Sequence, residues 1–252
     1  MILDPSTSAY VQAVVRQLRS LNGERLLGVY LLGSGSMGGF DPRKSDVDVA
    51  AVTTGRLDLE QKREIVRRLS HPSLHCPVRK LELVVYEAEA VRGTSPSLQW
   101  ELNLNTGSEV GVRASYDPSV EPEHWFLLDA AMARDHARTM FGPPPQSVFG
   151  EIDRDRVLRA LLGSLRWHRA NDLDGVQSIL NACRAWCWLE DGRWSPKPAA
   201  AGWARARAKD PGVVDAAVAA RGGDGNFHLD GEAVLRFVAD VEGRVEPALR
   251  GS

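Results

Sequence analysis

The sequence predicts a chain in two parts, an α/β (α+β) domain with a mixed sheet over residues 1–150 and an all-α helical-bundle domain over residues 151–252. Two observations carry this reading. Leucine-rich and β-branched runs alternate with helical periodicities in the first half, whereas beyond about Pro118 helical periodicities dominate and strand signals are weak. A third observation sets the boundary: Gly142-Pro143-Pro144-Pro145-Gln146 cannot continue a helix and reads as the linker.

The elements follow in order. Ser8 to Leu21 puts Val11, Val14, Val15, Leu18 and Leu21 at three- and four-residue spacing, the period of an amphipathic helix, and Asn22-Gly23 stops it. Arg25 to Leu32 is a strand-like run that ends in the glycine-rich turn Gly33-Ser34-Gly35-Ser36-Met37-Gly38-Gly39, and Asp46 to Val52 is a second such run. Asp58 to Leu69 reads as a helix with Asp58 and Gln61 as its capping pair, and Leu81 to Tyr86 as a third strand. Further helices are expected over Glu123–Met140, Asp153–Ala170, Gly175–Leu189, Lys197–Ala208 and Asp230–Leu249.

Bulk properties exclude several classes. A content of 43% hydrophobic and 25% charged residues is that of a globular chain, and a net charge of -2 lacks the basic excess with which nucleic-acid binders displace counterions. No apolar run approaches the ~20 residues that span a bilayer. The start, Met1-Ile2-Leu3-Asp4-Pro5, has no basic-then-apolar signal region, and the cysteines, Cys76, Cys183 and Cys187, have no framework spacing. The expectation is a cytoplasmic monomer with reduced thiols and neither nucleic-acid nor membrane partners.

The chemistry concentrates between the first two strands. On a strand, residues i and i+2 share a face, so Asp46 and Asp48 present two carboxylates side by side while Val47 and Val49 face the core. Adjacent carboxylates repel, and a hard divalent cation such as Mg2+ is the usual reason to keep them together. The Gly33-Ser34 turn offers backbone N–H groups and a hydroxyl to a triphosphate, and Ser45 adds a second hydroxyl beside the acidic pair.

A hydrophobic run, Gly33-Ser34, eleven residues and then Asp46-Val47-Asp48-Val49 resembles the signature of the polymerase-β-like nucleotidyltransferases. That resemblance calls for a third carboxylate from a neighbouring strand, and Glu82, flanked by apolar residues in Lys80-Leu81-Glu82-Leu83-Val84-Val85-Tyr86, is the candidate. The C-terminal half narrows it. Leu180-Asn181-Ala182-Cys183-Arg184-Ala185-Trp186, then Pro196-Lys197 and Ala201-Gly202-Trp203-Ala204, look like the helical domain of the streptomycin and spectinomycin 3''/9-adenylyltransferases.

The resemblance implies Mg2+ at Asp46 and Asp48, Glu82 as catalytic base, Ser34 and Ser45 on the phosphates of ATP, and Arg184 and Lys197 gripping the triphosphate. It implies an active-site cleft completed by the helical domain. Trp167, Asp172 and Asp174 fall where the family lines the site of its cationic small-molecule acceptor, and Gln177 stands where some members have a His. The implied activity is AMP transfer from ATP to an aminoglycoside or aminocyclitol hydroxyl with release of pyrophosphate, as in antibiotic resistance. Another hydroxylated metabolite as acceptor, and a nucleotide-holding module without transfer, are the competing classes; the trio Asp46, Asp48 and Glu82 counts against the second.

Overall fold

The computed structural model describes residues 3–93, 95, 97–172, 175–223 and 229–250. Their contacts divide into two compact units, with the break between Ile152 and Asp153.

The first unit opens with α1 (Pro5–Asn22), whose N-terminus Asp4 caps by accepting from the Ser6 and Thr7 N–H groups, each at 3.1 Å. Then follow β1 (Leu26–Leu31), the single helical turn α2 (Gly33–Met37), β2 (Val47–Thr53), α3 (Leu59–Leu69), β3 (Leu81–Glu87) and the short α4 (Ala88–Val91). The unit closes with β4 (Leu102–Gly107), β5 (Gly111–Ser115), α5 (Glu123–His136) and β6 (Arg138–Phe141). The expected capping box of α3 is present, with Gln61 N–H donating to Asp58 and Asp58 N–H to Gln61.

The strands form one sheet in the order β5-β4-β3-β2-β1-β6. It is mixed: β2 and β3 run parallel, and every other pair is antiparallel. Alternation along the strands builds two cores. Val47, Val49 and Ala51 pack with α1 and α3 on one face; Ala50 and Val52 pack with Tyr30, Tyr86 and residues of α5 on the other. Asp48 shares the parity of Ala50 and Val52, so its carboxylate lies at the end of the α5 face.

The structure departs from expectation at three places in this unit. The glycine-rich turn is a helical turn, α2. The helix expected over Glu123–Met140 stops at His136, because Arg138–Phe141 pairs with β1 as an edge strand and tertiary pairing overrides the helical period. β4 and β5 were not expected: β4 alternates Leu with Asn, and β5 is an exposed edge with little apolar content.

The second unit is helical: α6 (Arg154–Asn171), α7 (Val176–Asp191), α8 (Lys197–Arg205), α9 (Pro211–Gly222) and α10 (Gly231–Arg250). α7 is its centre, packing on each of the other four. α9, absent from the expected set, begins at Pro211 with Asp210 as its cap. No helix among the described residues is long and apolar enough to cross a membrane. All three cysteines are free and buried, and burial pushes the Cys183 thiol up to about 12.

Candidate active site

The register of the parallel pair sets the site. β2 and β3 align Asp48 with Glu82, and β4 places Asn105 beside Glu82, so a polar row crosses three strands on one face. Two residues back from this pair, Asp46 directly precedes β2 and stands near Lys80. The expected third carboxylate is thus the direct cross-strand neighbour of the second, a relation that strand spacing alone does not contain.

Basic residues from the start of β3 meet these acids. Arg79 engages both oxygens of Asp46, Nε to Oδ1 at 2.8 Å and Nη2 to Oδ2 at 2.6 Å. The Lys80 ammonium pairs with Glu82 Oε1, stands 3.7 Å from Asp46 Oδ2 and donates to Asn105 Oδ1 at 3.5 Å. Asp48 is treated differently. Burial pushes its carboxyl well above the usual carboxylate range, and Glu82, Asp129 and Asp46 push it further, with Lys80 opposing them. Asp129, on α5, is a member of this acidic group that the sequence analysis did not single out. Its approach depends on how α5 docks on the sheet, and its own helix offers only an acid among Leu128 and Ala130.

Gly33 closes the other side. Its φ is +55°, and a Cβ there would lie 1.9 Å from Asp48 Oδ2, so the carboxylate occupies the space that the absent side chain leaves. The Leu32 N–H also donates to the Asp48 carbonyl at 2.8 Å, which ties the start of α2 to β2. Ser34 sits half-buried within α2. Ser45 is buried, and its hydroxyl accepts from the Asp41 N–H at 3.0 Å, closing the turn that delivers Asp46 to the sheet. Asp46, Asp48, Glu82, Ser34 and Ser45 therefore all belong to the first unit and its α2–β2–β3 region.

The remaining expected residues lie in the helical unit. Gln177, Asn181 and Arg184 follow at helical spacing along α7, and the Lys197 ammonium, at the first position of α8, donates to Gln177 Oε1 at 2.6 Å. Asn181 is hydrogen-bonded to His168 Nε2 at 2.6 Å. Gln177 thus links Lys197 to α7, the helix that carries Arg184. Trp167, half-buried on α6, meets the His168 ring edge-on at 5.0 Å. Asp172 accepts from the Ser178 N–H at 2.6 Å, in the first turn of α7, whose first residue follows a left-handed Gly175. Asp174 lies outside the described residues.

Among the described residues no group of three or more His, Cys, Asp or Glu side chains is placed to hold a metal ion. Mg2+ keeps waters and binds through one or two carboxylates plus substrate phosphates, so it needs no such group. The acid-rich surroundings of Asp48 would suit such a cation.

Comparison with known proteins fits this arrangement. Residues 147–243 match the family described as aminoglycoside adenylyltransferase, C-terminal domain, which covers most of the helical unit. Curated relatives are the spectinomycin 9-adenylyltransferases of Staphylococcus aureus strains Mu50 and N315, each 27% identical over 203 residues that span 74% of this chain and 74% of theirs. A crystal structure of the spectinomycin adenyltransferase AAD(9) from Enterococcus faecialis with ATP and spectinomycin shares the fold. The TM-score is 0.76 and the identity 19%, over 95% of this chain and 99% of that one. The helical unit thus resembles the C-terminal domain of the aminoglycoside adenylyltransferases, and the chain as a whole shares the fold of AAD(9).

Proposed function

We propose that the chain transfers the adenylyl group of ATP to a hydroxyl of an aminoglycoside or aminocyclitol, such as spectinomycin or streptomycin, and releases pyrophosphate. The observation that carries this reading is the register that sets Glu82 beside Asp48, with Asp46 two residues earlier on the same face. The relatives named for spectinomycin 9-adenylylation support the acceptor class.

Asp46 and Asp48 would hold Mg2+, which when bound offsets the charge of the triphosphate and polarises the α-phosphate. The chain's own groups do the rest. The Glu82 side chain is 39% exposed, so an acceptor hydroxyl can reach it. Glu82 takes the hydroxyl proton as that oxygen bonds to the α-phosphorus, while the bond from the α-phosphorus to the bridging oxygen breaks and pyrophosphate leaves. Ser34 and Ser45, with the N–H groups of α2, bind phosphate oxygens. Arg184 and Lys197 supply positive charge for the growing charge on the leaving pyrophosphate. Trp167, Asp172 and Asp174 bind the cationic acceptor.

The test is pyrophosphate release from Mg-ATP with a panel of spectinomycin, streptomycin and other aminoglycosides, with Glu82→Gln as control. Release with a panel member is expected, falling roughly 10²–10⁴-fold in the variant, the usual contribution of a general base. A variant as active as the wild type removes Glu82 from this role. Tight Mg-ATP binding with no release for any acceptor moves the assignment to a different hydroxylated metabolite or to a non-catalytic module.

A further inference from the structure

We infer that Arg79 is a positioning residue for Asp46: its guanidinium fork fixes the plane of that carboxylate so that a remaining oxygen lone pair is presented to a divalent cation. This rests on the assignment of Asp46 and Asp48 as metal ligands.

The two aspartates are held by different means. Asp48 lies within β2, its backbone tied by the ladder and its carboxylate lodged against Gly33. Asp46 precedes the first residue of β2, so no strand pairing orients it. A side chain with two free torsions at a strand entrance would lose rotational freedom on capturing an ion, and that loss weakens binding. Arg79 removes the freedom beforehand. Its Nε and Nη2 meet Oδ1 and Oδ2 at 2.8 and 2.6 Å, the two parallel bonds of a guanidinium-carboxylate fork, which set position and plane together.

The fork does not consume the ligand. Each carboxylate oxygen has a second lone pair, so Asp46 can serve a cation on one edge while Arg79 holds the other. Electrostatics also give the guanidinium no reason to leave. Glu82, Asp129 and Asp46 surround Asp48 with like charge and Lys80 opposes them, so a divalent ion enters a region short of positive charge. Lys80 cannot substitute for the fork. Its ammonium is a point charge shared between Glu82 and Asp46, 3.7 Å from the latter, and it directs no plane.

The experiment is a Mn2+ titration of the full chain, followed by electron paramagnetic resonance, with a non-hydrolysable ATP analogue present. Wild type, Arg79→Ala and Arg79→Lys are compared, and turnover is not involved. Arg79→Ala is expected to weaken Mn2+ binding roughly 10–100-fold, the usual effect of removing a group that orients a metal ligand. Arg79→Lys, which keeps charge and folding but not the fork, is expected to recover only part of the loss. Equal or tighter Mn2+ binding by Arg79→Ala overturns the inference, because the guanidinium would then be a competitor of the ion. Full recovery by Arg79→Lys overturns it too, since charge alone would suffice. A wild type that binds the analogue but no Mn2+ overturns the metal assignment itself, an outcome distinct from any ranking among the variants.

Discussion

Glu101 and Asp48 are acids withdrawn from solvent in the same unit, and the chain surrounds them in opposite ways. Glu101, at the entrance to β4, is met by Lys62 at 2.7 Å, Arg56 at 3.2 Å and the Leu57 N–H at 3.3 Å. Burial pushes its carboxyl up, but Lys62, the Leu57 N–H and Arg56 together bring it below the ordinary glutamate value. Burial pushes the Asp48 carboxyl up as well, but there three further acids follow and a single lysine opposes them, so it is raised. A buried charge that serves stability is matched within the chain. A buried charge left unmatched is costly, and such a cost is retained where a ligand supplies the missing charge.

The largest separation should come from removing each charge while keeping its shape. Glu101→Gln leaves Lys62, with a side chain 12% exposed, facing a neutral amide, and should cost about 3 kcal/mol of stability, the scale for breaking a buried ion pair. Asp48→Asn removes a repelled charge, so the metal-free protein should keep or gain stability while it loses Mn2+ binding. Urea denaturation of both variants in chelating buffer measures the pair. Equal destabilisation by the two would mean that Asp48 is as well compensated as Glu101, and the contrast would be lost.

A smaller effect should follow at Gly33. Gly33→Ala forces an L-residue to φ +55° and sets a methyl 1.9 Å from Asp48 Oδ2. The backbone strain is worth roughly 1–2 kcal/mol, and the Asp48 carboxylate must swing away from its place against Gly33. Stability should fall by that amount, and Mn2+ affinity should fall with it, unlike Glu101→Gln, where only stability should change. A Gly33→Ala protein with wild-type Mn2+ affinity would show that the wedge between Gly33 and Asp48 does not position the ligand.

The contrast also marks what the sequence discloses. Valines and leucines at period 3.6 in α1, and alternation in β2 and β3, are local signals, so these elements are readable from the chain. The glycine at 33 is readable as well, but as room for phosphate. The structure shows that it also makes room for Asp48. Residues whose roles arise only from docking are another matter. Arg79 precedes β3 as one more surface cation until the register of β2 on β3 brings Asp46 to it. Asp129 is one acid on an α5 whose far end the helical period overran, because nothing in Arg138-Thr139-Met140-Phe141 announces that β1 lacks a second neighbour. Glu101 sits in a line of residues whose alternation is too weak to declare a strand, and its partners Arg56 and Lys62 are more than 35 positions away.

The smallest expected effect is the pH dependence of the Glu101 contribution, and its sign separates it from Asp48. Because the folded state lowers the Glu101 carboxyl below its ordinary value of 4.5, its stabilisation is complete above that value and is lost as pH falls through the folded one. The stability gap between wild type and Glu101→Gln should therefore be constant near neutrality and shrink below about pH 4.5. For Asp48 the order reverses: its folded carboxyl lies above the ordinary 3.8, so its ionisation lowers stability as pH rises, and any advantage of Asp48→Asn should grow in that direction. Denaturation midpoints between pH 3 and pH 7 in metal-free buffer read both gaps. A Glu101 gap that stays level across that range would mean the Lys62 contact does not depend on an ionised carboxylate, and the cluster would then stabilise by hydrogen bonding and packing alone.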